Sequence, residues 1–313
     1  MIRLSLITSC YKGLRYLPDF FEQVQAQTIF PQLEIVLVHN DPTPEELAVV
    51  AAFERQHPEH IRHLKVTPVE PLGASWNRGW HAAQGEYVAM WNVDDCRPAD
   101  GLERQLACLD ANSDCVMSYG DFVEVPQYGL TAGAFHETPA YDPRRFSRAF
   151  PQGGAFLVWR KTLADQIGYF DEQMLIGPDF EYAVRVAVNG LPMCRASGTI
   201  GYFTNAELGL STRDGSIKAA IERTVIQQRY AIYDKIRPQY LDAAAQFRPD
   251  EIQVAGEWLP LVEVFPNVES YRRKRSYLKL FGWLRHILRT TFTKLGLLDL
   301  IYRLQERYLK REI

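Results

Sequence analysis

Apolar residues along the first 120 positions follow two alternating patterns. Five short segments are predicted to be strands, at residues 3–9, 34–39, 64–66, 86–92 and 115–120, and the second is a continuous apolar run typical of a buried strand. Between them, apolar side chains recur at the three- and four-residue steps of helices, at residues 18–27, 44–51, 75–84 and 100–111. This alternation of strand and helix predicts an α/β sheet with mainly parallel strands.

Two of the predicted helices carry end signals. Thr43 can cap the second helix, Pro44 fits its first position, and Glu46 completes a capping box. Gly85 is placed to end the third helix as a C′ glycine. These signals support the helical assignment of both segments.

The pattern changes after residue 120. Residues 121–150 contain several prolines and glycines and are predicted to be an irregular loop, and a loop of this length is often functional. Three elements follow it: a strand at 156–159, a helix at 161–167 closed by Gly168, and a helix at 179–189 closed by Gly190. From residue 215 onward the pattern is helical. The change predicts a domain at residues 1–214 and a helical C-terminal extension at residues 215–313.

Composition places the chain among packed globular proteins. Hydrophobic residues make up 47% and aromatic residues 12% of its 313 positions. Five scattered cysteines without a CxxC pair indicate reduced thiols and a cytoplasmic protein. Neither a signal peptide nor a run of about 18 uncharged apolar residues is recognisable, so we expect no membrane-spanning helix.

Charge is distributed unevenly along the chain. Residues 271–313, called the basic tail below, contain 12 Lys and Arg against 3 Asp and Glu, whereas the rest of the chain contains 23 against 35. Apolar residues recur in the tail at helical steps, which is typical of a helix lying on an anionic membrane, where each base contributes about 1 kcal/mol. Packing of the tail on the acidic body, or a homodimer interface, is the alternative. Nucleic-acid binding is not expected, because no recognition motif accompanies the charge.

Polar side chains follow three of the predicted strands. They are Thr8 and Ser9, then Asn40 and Asp41, and then the Asn-Val-Asp-Asp segment at residues 92–95. Parallel strands end at one edge of the sheet, where α/β proteins bind ligands, so we expect these groups to lie together. Their oxygen atoms suit Mg²⁺ or Mn²⁺. Strand alternation would turn Asn92 and Asp94 to one side and Asp95 to the other. An acidic loop capping the next helix is the alternative interpretation.

Six short segments stand in a recognisable order. They are residues 7–12 (Ile-Thr-Ser-Cys-Tyr-Lys), 25–28 (Gln-Ala-Gln-Thr), 34–41 (Glu-Ile-Val-Leu-Val-His-Asn-Asp), 77–88 with Asn-Arg-Gly and Gly-Glu-Tyr-Val, 167–172 (Ile-Gly-Tyr-Phe-Asp-Glu) and 177–181 (Gly-Pro-Asp-Phe-Glu). Together they resemble glycosyltransferase family 2 over about residues 1–213. The resemblance implies a GT-A (Rossmann-like) fold with a mixed, mainly parallel sheet. It also implies an inverting transfer of a sugar from a nucleotide-diphosphate sugar to an acceptor hydroxyl.

The resemblance implies a nucleotide site at the ends of the first two strands. Backbone groups at Thr8 and a stacked Tyr11 would hold the base, and Ser9 would belong to the same nucleotide site. Asp41 would accept a hydrogen bond from the base, or Asn40 would do so in a register shifted by one residue.

The diphosphate and donor sugar are expected at the next strand end. By resemblance, Asp94 with Asn92 would ligate Mn²⁺ or Mg²⁺, and Asn77 would belong to the donor side. Asp95 would either cap a helix or bond the donor sugar. A further contact would come from Asn205, Glu207 or Arg213, among which the sequence does not choose.

The acceptor side is expected around the last two segments. Asp179 would be the base that takes the proton of the acceptor hydroxyl, and the dipole of its helix would lower its pKa and keep it ionised. Glu181 would bond the acceptor or be solvated. Gly153 and Gly154 would form an acceptor-side loop with close backbone approach.

Three positions depart from the family pattern. Asn92 replaces the first Asp of an Asp-x-Asp metal motif, Pro178 replaces the Glu of a Glu-Asp pair, and Trp76 stands where a basic residue often precedes Asn77. These departures leave open a degenerate nucleotide-sugar- or partner-binding subunit. A sugar-phosphate nucleotidyltransferase is a further alternative, although residues 9–13 lack its glycine-rich loop.

The expected setting follows from the family. The donor would be a UDP-sugar, and the acceptor a glycan or a lipid-linked glycan in bacterial surface polysaccharide assembly. The basic tail would then hold the enzyme at the inner face of the cell membrane as a peripheral protein.

Overall fold

The computed structural model describes residues 1–143, 156–205, 215–231 and 238–273, and the elements below belong to these ranges. The strands are β1 (Leu4–Cys10), β2 (Leu33–Asn40), β3 (Ile61–Val66), β4 (Tyr87–Met90), β5 (Met117–Val125), β6 (Ala134–His136), β7 (Val158–Arg160), β8 (Met193–Thr204), β9 (Glu251–Val254) and β10 (Glu257–Pro260). The α-helices are α1 (Leu17–Gln25), α2 (Pro44–Gln56), α3 (Leu72–Ala82), α4 (Gly101–Ala111), α5 (Leu163–Ile167), α6 (Pro178–Val188), α7 (Gly215–Arg229), α8 (Leu241–Ala244) and α9 (Leu261–Val264). Two short 3₁₀ turns lie at Phe30–Gln32 and Pro238–Tyr240.

Eight of these strands form one sheet in the order β3-β2-β1-β4-β7-β5-β6, with β8 paired to β5. The pairings of β1 with β2 and β4, of β2 with β3 and of β5 with β8 are parallel. The three pairings that involve β6 or β7 are antiparallel. The sheet is therefore mixed and mainly parallel, as the family resemblance implied.

Helices cover both faces of the sheet, which explains why the central strands β1 and β2 are almost completely buried. All eight residues of β2 are buried. One apolar cluster packs α1, α2 and α4 against side chains such as Leu6 and Ile35. A second cluster packs α3, α5 and α6 against the opposite face, with Ile7 and Val88.

Several local predictions are confirmed. The capping box of α2 is formed, because Glu46 N donates to Thr43 Oγ1 at 3.3 Å and Thr43 N donates to Glu46 Oε2 at 2.9 Å. Gly168 caps α5 with φ +73°, and Gly190 follows α6 with the same φ. Only glycine adopts this left-handed conformation without strain.

The prediction for Gly85 is wrong. Helix α3 begins at Leu72 and ends at Ala82, and Ala83 leaves it in an extended conformation. A Cβ atom on Gly85 would lie 2.8 Å from both Arg3 O and Ser5 N, so the residue permits close approach to β1 and does not terminate a helix.

Other boundaries also differ from the prediction. Strand β4 ends at Met90, not at residue 92, and β5 continues to Val125 into the segment expected to be an irregular loop. The C-terminal extension is not wholly helical, because β9 and β10 form an antiparallel hairpin. A continuous pattern of apolar residues does not distinguish such short strands from helical turns.

The part of the C-terminal extension that the structure describes packs on the sheet domain. Its apolar cluster joins Met174 and Val184 of the sheet domain to Val225, Ile226 and Ile252. Within the described ranges, none of the helices combines the length and the apolar composition that crossing a bilayer requires. The basic tail after residue 273 lies outside the described residues.

Candidate active site

The ends of β1 and β2 meet at one edge of the sheet, as predicted. Asn40 is buried and donates from Nδ2 to Ser75 Oγ at 2.9 Å and to Ser9 Oγ at 3.4 Å. Its Oδ1 accepts from Glu70 N at 3.0 Å. The amide of Asn40 is therefore engaged within the protein. Asp41 is exposed at φ +46°, so its carboxylate is the more accessible of the two candidates for the base.

Thr8 and Tyr11, two further candidates for the nucleotide site, differ in exposure. Thr8 is fully buried, and its Oγ1 has no hydrogen-bond partner among the described residues. Tyr11 is 48% exposed, and the Lys12 ammonium lies 5.0 Å from the centre of its ring. An exposed ring at the end of β1 is available for stacking, whereas the side chain of Thr8 is not reached from solvent.

Residues 92–95 form a turn, called the acidic turn below, directly after β4. Asp95 N donates to Asn92 O at 3.1 Å, and Trp91 N donates to Ile7 O at 3.2 Å, which places the turn beside the end of β1. Because β4 has already ended, the expected strand alternation does not apply to Asn92 and Asp94. Both side chains are half-buried, and Asp95 is buried.

The Asp95 side chain ties the acidic turn to the end of β8. Its Oδ1 accepts from Thr204 N at 3.0 Å, and its Oδ2 lies 3.4 Å from Asn92 Nδ2. The alternative of a helix cap is wrong for Asp95, since α4 begins after Asp100. The sequence gives no local signal for this contact, because Thr204 is 109 residues away.

The acidic turn concentrates negative charge. Burial raises the pKa of Asp95 to about 8, and repulsion from Asp94 adds to this, while the Thr204 N–H opposes it. Burial also raises the pKa of Asp94. A divalent cation would favour the ionised form of both groups, and the oxygen-only donors of Asn92 and Asp94 fit Mg²⁺ or Mn²⁺. The residues present therefore suit the expected metal.

Asp179 lies in the first turn of α6, after Gly177 and Pro178. Its Oδ1 accepts from Phe180 N at 2.8 Å. The expected lowering of its pKa is wrong: burial raises the pKa of Asp179 to about 6, and outweighs both the Phe180 N–H and the charge of Arg223. A carboxylate with a pKa in this range is well matched to general-base work near neutral pH.

The first turns of α3 contact the edge of the sheet where β1 and β2 end, called the nucleotide edge below. Ser75 of α3 bonds Asn40, while a Cβ on Gly73 would lie 3.3 Å from Glu172 Cα and 3.6 Å from Pro178 Cβ. One helix thus touches both the strand-end residues and the segment that leads to Asp179.

Asn77 connects α3 to the segment that precedes α6. It is buried, and its Nδ2 donates to Phe170 O at 3.0 Å and to Glu172 Oε1 at 2.9 Å. Its Oδ1 accepts from Phe170 N at 2.9 Å. These bonds occupy the amide, so the structure gives Asn77 a bracing role and not the donor contact expected from the sequence.

Glu181 does not face an acceptor and is not solvated. It is fully buried, forms an ion pair with Arg185, and accepts from Arg229 Nη1 at 3.0 Å and from Tyr230 OH at 2.5 Å. Arg185 lies four residues further along the same helix, a spacing that favours such pairs. That spacing was the one signal in the sequence that pointed to this role.

Some of the predicted contacts fall on residues that the structure leaves undescribed. Gly153, Gly154, Glu207 and Arg213 lie outside the described residues. Asn205 is described: it follows Thr204 at the end of β8, and its Nδ2 donates to Glu124 Oε1 at 2.5 Å. Asn205 therefore lies next to the backbone group that holds the acidic turn.

A family model, Glycosyl transferase family 2, matches residues 5–167. The matched residues include β1 to α5, and with them the nucleotide edge and the acidic turn. Asp179 lies beyond the match. The amylovoran biosynthesis glycosyltransferase AmsE of Erwinia amylovora is 24% identical over 181 residues, which are 56% of this chain and 66% of that protein.

Solved structures that resemble the chain include two complexes with nucleotide sugars. TarS of S. aureus, crystallised in complex with UDP-GlcNAc, has a TM-score of 0.58 at 18% identity, covering 79% of this chain and 73% of that one. The mannosyltransferase PcManGT from Pyrobaculum calidifontis, in complex with GDP-Man and Mn²⁺, has a TM-score of 0.57 at 15% identity, covering 91% and 87%. At these identities the likeness concerns the fold, and it confirms the expected GT-A architecture.

Proposed function

The chain belongs to glycosyl transferase family 2, and we propose that it transfers a hexosyl group from a UDP-sugar to an acceptor hydroxyl with inversion. The acidic turn is the observation that carries the proposal. It places the half-buried oxygens of Asn92 and Asp94 beside the end of β1, where the base of a nucleotide would bind. A divalent cation is the partner that these oxygen donors suit best, and the cation would in turn hold the anionic donor diphosphate.

The base and the diphosphate of the donor each have residues that would hold them. Tyr11 offers an exposed ring to the base, and Asp41 an exposed carboxylate that accepts a hydrogen bond from it. Asp94 and Asn92 would ligate Mn²⁺ or Mg²⁺, which neutralises the charge that builds up on the leaving diphosphate. The complexes of TarS with UDP-GlcNAc and of PcManGT with GDP-Man and Mn²⁺ support a nucleotide-sugar donor with a metal.

Asp179 is the proposed general base. Its carboxylate takes the proton of the acceptor hydroxyl as that oxygen attacks the anomeric carbon, while the bond to the diphosphate breaks on the opposite side. One displacement of this kind inverts the anomeric centre. A pKa of about 6 leaves the carboxylate mostly ionised at neutral pH, yet basic enough to accept the proton.

The proposed setting is assembly of a bacterial surface polysaccharide. The match to AmsE, named for amylovoran biosynthesis, supports it. The excess of 12 Lys and Arg over 3 Asp and Glu in the basic tail supports a lipid-linked acceptor at the inner face of the membrane, because anionic lipids attract such segments.

Nucleotide binding and donor turnover test the proposal in one set of proteins. We expect UDP to raise the melting temperature more than GDP, CDP or dTDP, and Mn²⁺ to increase the effect. Asp94→Asn should remove the metal enhancement. Asp179→Asn should keep UDP binding but lower turnover by about 10²- to 10⁴-fold.

The same panel contains the contradicting results. If no nucleotide changes the melting temperature, the donor site is misassigned. If UDP binds but neither substitution changes turnover, the residues are misassigned. If UDP binds and the wild type has no turnover with any donor, the departures at Asn92 and Pro178 favour a nucleotide-sugar-binding subunit.

A further inference from the structure

Glu222 on α7 contacts the loop that precedes α6. Its side chain is 3% exposed. Its Oε1 accepts from Leu175 N at 2.8 Å and from Ile176 N at 3.1 Å, and its Oε2 accepts from Ile176 N at 3.0 Å and from Gly177 N at 2.9 Å. One buried carboxylate thus binds three consecutive backbone N–H groups.

These hydrogen bonds fix the backbone just before the proposed base. Gly177 is the N-cap of α6, and Asp179 is the second residue of that helix. Hydrogen bonds to an ionised acceptor are about twice as strong as neutral ones. Successive N–H groups converging on one anion also hold a loop in a single conformation. The position of Asp179 therefore depends on a side chain from a different region of the chain.

Glu222 is itself held firmly. Arg229, two turns further along α7, is fully buried and forms ion pairs with Asp171 at 2.7 Å and with Glu181 at 3.0 Å. Asp171 precedes the 175–177 loop and Glu181 follows it. Helix α7 is therefore tied to both sides of the loop that Glu222 holds.

We propose that Glu222 is a positioning residue for Asp179, so that the catalytic unit of this chain extends into α7, beyond the residues matched by the family model. The inference rests on the proposed role of Asp179 as general base. Glu222 does not touch the substrate in this scheme. It holds the 175–177 loop so that the Asp179 carboxylate stays at the distance from the acceptor hydroxyl that proton transfer needs.

Asp179 also interacts electrostatically with α7. Burial raises the pKa of Asp179, and the positive charge of Arg223 on α7 opposes this rise. Burial raises the pKa of Glu222, the N–H groups of residues 175–177 oppose that rise, and the charge of Asp179 adds to it. Glu222 and Asp179 are therefore close enough to influence each other, in agreement with the hydrogen bonds.

Glu222→Gln in the full chain tests this, because it keeps the shape but removes the charge and one acceptor. We expect kcat to fall by about 10- to 100-fold, with the KM for the donor and the affinity for UDP unchanged. Thr224→Val is the matched control: Thr224 is buried on the same helix, and among the described residues its side chain bonds only Ala220 O, so neither kcat nor the KM should change beyond twofold.

Glu222→Asp covers the case in which the glutamine variant does not fold. It retains the carboxylate but shortens its reach, so kcat should fall while the KM for the donor stays unchanged. Unchanged kcat in either folded variant overturns the inference, as does a loss of kcat that Thr224→Val reproduces. Asp179→Asn in parallel separates the two proposals: if it leaves turnover intact, the base assignment fails, whatever Glu222 does.

Discussion

The two sides of the site are built on opposite electrostatic principles. On the donor side, Asp94 and Asp95 stand together in the acidic turn, and burial raises the pKa of both. On the base side, Asp171 and Glu181 are fully buried but are paired with arginines, and the pKa of Glu181 is lowered. The donor side leaves charge for a ligand to neutralise. The base side neutralises its own charge and so holds one carboxylate, Asp179, in place.

The largest expected effect is on the free energy of unfolding, and it concerns Arg229. Arg229→Met removes the cation that pairs with both Asp171 and Glu181, so buried Asp171 loses its ion pair and Glu181 keeps only that with Arg185. We expect the free energy of unfolding to fall by about 3–5 kcal/mol, measured by urea denaturation. Arg3→Met, which breaks the half-exposed pair with Asp110, should cost less than about 1 kcal/mol. Equal losses in the two variants would mean that the base side is not held by its ion pairs.

The pH dependence of turnover gives the next largest effect. Asp179 must be ionised to act as base, and its pKa is raised to about 6. We therefore expect kcat to be constant above about pH 7 and to fall about tenfold per pH unit below pH 6. The affinity for UDP, measured by calorimetry over the same range, should not follow this curve. A limb near pH 4 would show that Asp179 is a solvated carboxylate or is not the base.

The smallest expected effect is on the melting temperature, and it concerns Asp95 on the donor side. A carboxyl whose pKa is raised in the folded state contributes stability at pH values below its unfolded pKa of about 4, and that stability is lost as the pH rises through the folded value of about 8. Without ligand, Asp95→Asn should therefore melt about 2 °C or more above the wild type at pH 8.5. Adding UDP with Mn²⁺ should reverse the order, because the cation favours the ionised wild-type turn.

The control for this prediction is the same pair of proteins at acidic pH. At pH 4 the Asp95 carboxyl is already protonated in the folded wild type, so the difference in melting temperature should shrink. A difference that does not depend on pH would contradict the assignment of the raised pKa to Asp95.

The donor side could be predicted from the sequence because its information is local. Strand ends, the capping box of α2 and the residue types at 92–95 follow from short patterns, and the structure brings Ser9 and Asn40 together as expected. The boundary of β4 could not be predicted, because an apolar run continues through Trp91 while the turn begins there. For that reason, strand alternation does not determine the directions of the Asn92 and Asp94 side chains.

The base side could not be predicted in the same way, because its contacts join distant segments. Asn77 bonds a segment 93 residues away, and Glu181 bonds Arg229 48 residues away. Short motifs identified both residues but gave them ligand roles, since a polar residue in a motif looks the same whether it faces a ligand or a buried partner. The raised pKa of Asp179 could not be predicted, because it results from burial, which the sequence does not reveal and which outweighs the backbone N–H groups at the start of the helix.

The contacts of α7 with the 171–181 segment have a practical consequence for protein engineering. A chain shortened at residue 214 would lose Glu222 and Arg229, so Asp171 would lose its ion pair and Glu181 would keep only Arg185. Chimeras that exchange acceptor preference between relatives should therefore move residues 171–231 as one block and leave the donor edge untouched. A junction placed inside this block would separate Arg229 from its buried ion-pair partners Asp171 and Glu181.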